Sequence, residues 1–427
     1  MDSLEKISPF LYYTYLPFYE PEQAADILPG VDFEHDVPDK SIRCMDDSEM
    51  IAYGIQLLKS TFSKIIQNTR AEYHIVPLSG GMDSRGILAS LMDAGLKEQI
   101  IAVTFGVPGA WDYELGRGLA QNFGINHRQI NLMNVEVSTD KLLETAQGGS
   151  AWTFLLDAFY NSLIPAEFGD SVVYWSGFMG DTLAGGSRKR LPVKQNKSWQ
   201  DAIEWFAVRR NVIRRTINMA SPDYDPVSSL PVDPIIPRGK ISYLDQIMFW
   251  ILNANYLNRV VTIKGFNYVT PYRSPEWVKF VLSLSRQNRL DRSMYLKILG
   301  NAYPDYFSYP TSQYNGASLN SSRLRKYFQQ FLCKASKSIA VSDPIWNRIG
   351  IYENLKYINY DASIRERDDF KRLITENIND LKKRKVIDWF DPGQIWKDHM
   401  DHKGNLGIAL VLLTALEISL KSDERSP

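Results

Sequence analysis

Two short stretches carry the residues best suited to chemistry. The first, LSGGMDSRG from Leu78 to Gly86, strings Ser79, Gly80, Gly81, Asp83, Ser84 and Arg85 directly behind an apolar run. Serine hydroxyls and unhindered glycine amides donate hydrogen bonds to clustered phosphate oxygens, and a helix starting here adds the positive end of its dipole. Glycine lets backbone close on the anion where a side chain would hold it off. Asp83 conflicts with this reading unless a cation separates its carboxylate from the phosphates. Magnesium takes carboxylate and phosphate oxygens together and resolves the conflict. A second acid should then reach the same ion. The second stretch, WSGFMGDTLAGGS from Trp175 to Ser187, supplies Asp181 among Gly177, Gly180, Gly185 and Gly186.

These loops need elements that deliver them to one edge. YHIVPL (73–78) reads as a buried strand and SRGILASLMDAG as a helix closed by Gly95. QIIAVTFG, DYELGRGLAQNFG and HRQINL continue as strand, helix and strand, and DSVVYWSGF is a fourth strand after an intervening helix. Such alternation predicts an α/β fold with a doubly wound, mostly parallel sheet, whose ligands sit beyond the carboxyl ends of the strands. The second strand would meet adenine through its backbone around Val103 to Phe105. Residues 1–45 form an aromatic N-terminal segment, 46–190 the nucleotide-binding α/β core, and 191–427 a mainly helical C-terminal part. Within the last part, the chain from about 190 to 240 reads as a weakly patterned, Pro-rich surface connection.

Composition excludes several classes. Lys plus Arg (49) equals Asp plus Glu (49), so no general basic field argues for nucleic acid, although Arg188, Lys189 and Arg190 form a local patch. Cys44 and Cys333 lack metal or redox spacing and read as reduced thiols. The start, MDSLEKISPF, lacks the basic and apolar blocks of a signal peptide. The most apolar run, Leu406 to Leu420, is short for a bilayer and contains Glu417, so it is expected as a core helix. A cytoplasmic protein with no membrane partner is expected.

With both aspartate stretches in order, the chain resembles the synthetase domain of the asparagine synthetase family, within the N-type ATP pyrophosphatases. LSGGMDS is similar to the family's pyrophosphate loop, and SGFMGDTLAGG matches its second metal stretch at Ser176, Gly177, Asp181, Leu183, Gly185 and Gly186. VTFGVPGAWDYELGRGLAQNFGINH places Asp112, Glu114 and Arg117 where the family has an acidic, Arg-containing helix start. The resemblance implies an adenine-nucleotide hydrolase-like fold, ATP and Mg²⁺ as cofactors, and AMP-forming amide synthesis from a small-molecule or peptide carboxylate. It implies a nucleotide site of Ser79, Gly80, Gly81, Asp83, Ser84, Arg85, Val103, Phe105 and Gly177, with metal on Asp83 and Asp181. Arg85 could equally bridge to a helix neighbour, Glu114 could simply start a helix, and His127 reads as structural.

Three features depart from the family pattern. Asp2 follows Met1 where glutamine-using members carry cysteine, and YLPFYEPEQAADILPGV is similar only to the tail of their N-terminal domain. Nitrogen is therefore expected from free ammonia, a separate glutaminase or an amine. Phe178 stands where the family has Glu or Tyr, and it can neither move a proton nor accept a hydrogen bond. The family's later catalytic lysine has two candidates, Lys297 and Arg292, of which Lys297 is carried forward as catalytic. A specialised pathway, such as surface polysaccharide or natural-product synthesis, is expected. The alternatives are an RNA-modifying enzyme of the same superfamily and a non-catalytic nucleotide binder.

Overall fold

A computed structural model describes residues 3–22, 26–186, 198–210, 217–236, 239–338, 355 and 357–425. The strands β1 (His74–Pro77), β2 (Ile100–Gly106), β3 (Asn126–Asn131), β4 (Val173–Trp175) and β5 (Tyr268–Val269) form one parallel sheet in the order β3-β2-β1-β4-β5. Ile75, Val76, Val103 and Tyr174 are buried, as expected of parallel strands covered on both faces. From β1 the chain proceeds outward through β2 and β3, then returns to place β4 on the other side of β1. That reversal is a topological switch point, and the crevice beyond it is where such sheets take ligands. The two glycine stretches follow β1 and β4, so they flank the crevice.

The first four strands and the helices after β1 and β2 lie where hydrophobic alternation predicts them. The helix Asp83–Asp93 follows the first loop directly, and Trp111–Phe123 ends at Gly124 with φ 62°. The helix Asp47–Asn68 begins at a capping box: the Asp46 carboxylate accepts from Ser48 N at 2.8 Å and Glu49 N at 2.9 Å, and Glu49 accepts from Asp46 N at 2.9 Å. β5 escapes sequence analysis because two residues carry no periodicity.

Two differences concern segments read as irregular. Part of the expected 190–240 connection is the helix Trp199–Arg210, which buries Trp199, Ile203 and Phe206. The patch at Arg188, Lys189 and Arg190 lies outside the described residues. In the aromatic N-terminal segment, Ile7–Tyr13 is helical and built into the interior. Phe10 meets the Trp152 ring edge-on at 5.6 Å, Tyr12 Oη donates to Ala207 O at 3.0 Å, and Lys6 pairs with Asp423 at 2.9 Å. The apolar run near the end is a core helix, Gly407–Arg425, whose buried Glu417 pairs with Arg384 at 2.7 Å. No helix among the described residues is long and apolar enough to cross a membrane. Neither cysteine forms a disulfide; Cys44 is exposed and Cys333 buried.

Candidate active site

Beyond β1 the chain turns sharply through Ser79, Gly80 and Gly81 into the Asp83–Asp93 helix. Ser79 N donates to Ser84 Oγ at 3.3 Å and Gly81 N to Ser79 Oγ at 3.2 Å, so the loop braces itself through its hydroxyls. Gly80 differs from expectation. Its amide donates to Asp112 Oδ1 at 3.1 Å, at the start of the neighbouring helix, so Asp112 lines the cavity described below while Gly80 does not. Its carbonyl accepts from Thr311 Oγ1 at 2.7 Å and Ser312 N at 3.2 Å. The Thr311–Ser312 segment thus straps the loop from outside. A Cβ on Gly80 would lie 2.9 Å from Leu115 Cδ1, so this glycine serves close packing. Burial holds the Asp112 carboxyl above the usual range, although bonds from Ser312 and Gly80 oppose the shift.

Asp83 is held from several directions. Its carboxylate accepts from Tyr295 Oη at 2.8 Å and from Asp181 N at 3.0 Å, and Tyr272 Oη donates to its backbone carbonyl at 3.0 Å. The stretch after β4 therefore packs directly on the first loop. A Cβ on Gly177 would stand 2.8 Å from Asp83 Cβ, and one on Gly180 2.8 Å from Asp83 Cγ. Glycine at both positions is what brings the two acids together. Burial, then the charge of Asp181, pushes the Asp83 carboxyl up to about 7. Asp181 forms an ion pair with Arg292.

Ser79, Gly81, Asp83, Ser84, Val103, Phe105, Gly177 and Asp181 all line one cavity of about 460 Å³ at the carboxyl edge of the sheet. That volume falls in the range of small-molecule sites. Its farther wall is Phe178, Asn161, Asn253, Leu257, Val261 and Tyr357. Phe178 is buried with the Arg273 guanidinium 5.8 Å from its ring centroid, and Phe105 stacks on Tyr357 at 5.6 Å.

A family model for asparagine synthase matches residues 75–299, just over half of the chain, from β1 through most of the Ser293–Ala302 helix. The chain belongs to the asparagine synthase family. This is a ligase family that binds ATP for amide synthesis, usually with Mg²⁺. Comparison with the curated proteins gives no match. The match includes both aspartates, all five strands, Phe178 and Arg292, whereas the Thr311–Ser312 strap lies beyond it.

Two residues expected at the site of this asparagine synthase relative lie elsewhere. Arg85 points away from the cavity, fully buried, with its guanidinium donating to Tyr306 O, Tyr309 O and Pro310 O at 3.2, 2.9 and 2.7 Å. It lies two residues beyond Asp83 on a helix, and that rotation turns it toward the carbonyls instead of the loop. Lys297 is half-exposed and pairs with Asp47 at 2.6 Å on another helix, outside the cavity lining. Of the two later cations, Arg292 is the one beside the acids. Glu114 accepts from Gly109 N at 2.8 Å near its own helix start, and His127 bonds Thr104 Oγ1 at 3.0 Å, neither in the cavity lining. Tyr272, Tyr295, Thr311 and Asn253 have no sequence signal, because only the folded chain brings them to the loop.

The donor set suits a magnesium ion. Among the described residues no three His, Cys, Asp or Glu side chains gather as a complete metal shell. Magnesium does not need one, since it commonly takes one or two carboxylates and completes its octahedron with phosphate oxygens and water. A buried carboxyl pushed toward neutrality beside a second acid gains its charge back when a divalent cation arrives. Asp83 and Asp181 are the residues to hold it.

Proposed function

We propose that this asparagine synthase family member adenylates a substrate carboxylate with ATP, releasing pyrophosphate, and passes the acyl group to a nitrogen nucleophile to form an amide. The observation that carries this reading is the packing of Asp181 against Asp83, backbone amide to carboxylate, in the lining of the cavity beyond β1 and β4. In this scheme Ser79, Gly81 and Ser84 grip the β- and γ-phosphates, while the backbone of Val103 and Phe105 flanks adenine. Magnesium, when bound by the two aspartates, supplies the charge neutralisation that lets pyrophosphate depart. The substrate carboxylate attacks the α-phosphorus, and the nucleophile then displaces AMP.

Phe178, Leu257 and Val261 give the acid an apolar wall, with Asn161, Asn253 and Tyr357 as neutral polar contacts. Phe178 offers no proton acceptor, and the acids that line the cavity are Asp83, Asp112 and Asp181, so the nucleophile of this scheme is ammonia or an amine that enters uncharged. Ammonia from a separate glutaminase and a small-molecule or peptide acid from a specialised pathway complete the proposal. Purified chain with Mg²⁺ and ATP should release pyrophosphate when offered a panel of carboxylates, and Asp83→Ala should abolish the release. Absence of both ATP binding and pyrophosphate release across the panel would overturn it. The apolar Phe178 favours one second reading, a nucleotide binder without turnover, which would show tight ATP binding and no pyrophosphate.

A further inference from the structure

The helix Arg323–Ser338, RLRKYFQQFLCKASKS, turns its apolar stripe away from its own protein. Leu324, Tyr327, Phe328 and Phe331 are 82, 67, 59 and 66% exposed, four of the twelve large exposed apolar side chains among the described residues. Their i, i+3, i+4, i+7 spacing makes a single face. The inward side is narrow. Lys326 Nζ donates to Leu319 O at 2.7 Å and lies 4.2 Å over the Tyr314 ring, while Leu332 and Cys333 pack against Trp111 and Leu115.

Charge says what covers the stripe. Arg323 and Arg325, both exposed, leave the helix on opposite flanks of the stripe. From Tyr306 to Ser342 the sequence has five basic residues and no acid, although basic and acidic residues balance over the chain as a whole. A convex helix with Leu, Tyr and Phe outward and guanidinium groups at its shoulders matches an interface that is apolar within and anionic at its rim. We propose that this helix docks the protein on an anionic lipid surface, lying in the headgroup plane without spanning it. A helix that lies in the interface needs no apolar run long enough to span the bilayer. The helix rests on Trp111 and Leu115, beside Asp112, so docking would hold the cavity close to the lipid surface.

Co-sedimentation of the full chain with vesicles tests this independently of ATP chemistry. Vesicles of phosphatidylglycerol and phosphatidylcholine should retain it at low salt, and pure phosphatidylcholine should retain much less. Phe328→Ser with Phe331→Ser should weaken binding roughly tenfold without changing charge. Arg323→Gln with Arg325→Gln should weaken it and flatten the salt dependence. Val232→Ser, at another highly exposed apolar residue, should change nothing. Circular dichroism and thermal midpoints would confirm that each variant is folded. Failure of the wild type to bind anionic vesicles would overturn the proposal. So would equal loss in the Val232 variant, or retention by an acidic amphipathic peptide and not by vesicles.

Discussion

At Asp83 a phenol, a backbone amide and a second acid converge on one half-buried carboxylate, and the glycines opposite it decide whether they can. Gly180→Ala would place a methyl 2.8 Å from Asp83 Cγ and wedge the two acids apart. Calorimetric titration should show weaker Mg·ATP binding, and denaturation a loss of about 1–3 kcal/mol. Gly148→Ala, with nothing within 4 Å of the added carbon, is the matched control and should leave binding intact. The two cations that turn away from the cavity predict opposite phenotypes to site residues. Arg85→Ala strands three carbonyls in the interior and should cost about 3 kcal/mol or more in urea denaturation. Lys297→Ala removes an exposed ion pair and should move stability by less than about 1 kcal/mol, with pyrophosphate release unchanged. The sequence shows Asp83, Asp181 and their glycines plainly, because anion loops and metals constrain residue type over a few positions. It does not show Tyr295, 212 residues from its partner Asp83, since an ordinary helical tyrosine becomes a ligand only through packing.

Elements carry the site as much as residues do. The strap at Thr311 and Ser312 fixes Gly80 from outside the matched region, and Thr311→Val keeps its shape while deleting the hydroxyl bond to Gly80 O. The change should cost about 1 kcal/mol and raise the KM for ATP more than it lowers kcat, measured by pyrophosphate release. In the C-terminal part, Arg384 bonds buried Glu417 at 2.9 and 2.7 Å. Arg384→Met removes both of these bonds, leaving Lys421 at 3.6 Å from the carboxylate, and should destabilise by about 2–4 kcal/mol in thermal or urea unfolding. Strand and helix alternation over residues 73–178 is legible because β1, β2 and β4 are largely apolar and the helices after β1 and β2 run out near glycines, while β3, NHRQIN, shows itself only by its place in the alternation. The Trp199–Arg210 helix is not, because its mixed surface shows little amphipathic contrast.

Across the whole molecule, the helical C-terminal part forms a second core with the N-terminal aromatic residues, in which Phe10, Leu155, Ile374 and Leu413 are all buried. A histidine gives this region a pH response. His399 is fully buried, its Nδ1 accepts from Leu406 N at 3.1 Å, and burial, aided by Arg365, holds its pKa below the ordinary value of 6.5. The folded form thus keeps it neutral while the unfolded chain takes up a proton below about 6.5. Its contribution to stability is complete above that pH and is lost as pH falls toward the folded value. Thermal midpoints of wild type and His399→Gln should diverge at pH 7.5 and converge on acidification toward pH 5. Sequence patterning could assign the C-terminal residues to helices, but it held nothing about which of them the first turns of the chain would join. That junction is the Lys6–Asp423 pair, 2.9 Å between its charged atoms. The Lys6 ammonium is shared further, lying 5.1 Å over the Trp152 ring, whose Nε1 donates to Asp423. One ammonium, one indole and one carboxylate thus clasp an early turn to the last helix, and whatever loosens any of the three loosens both elements at once.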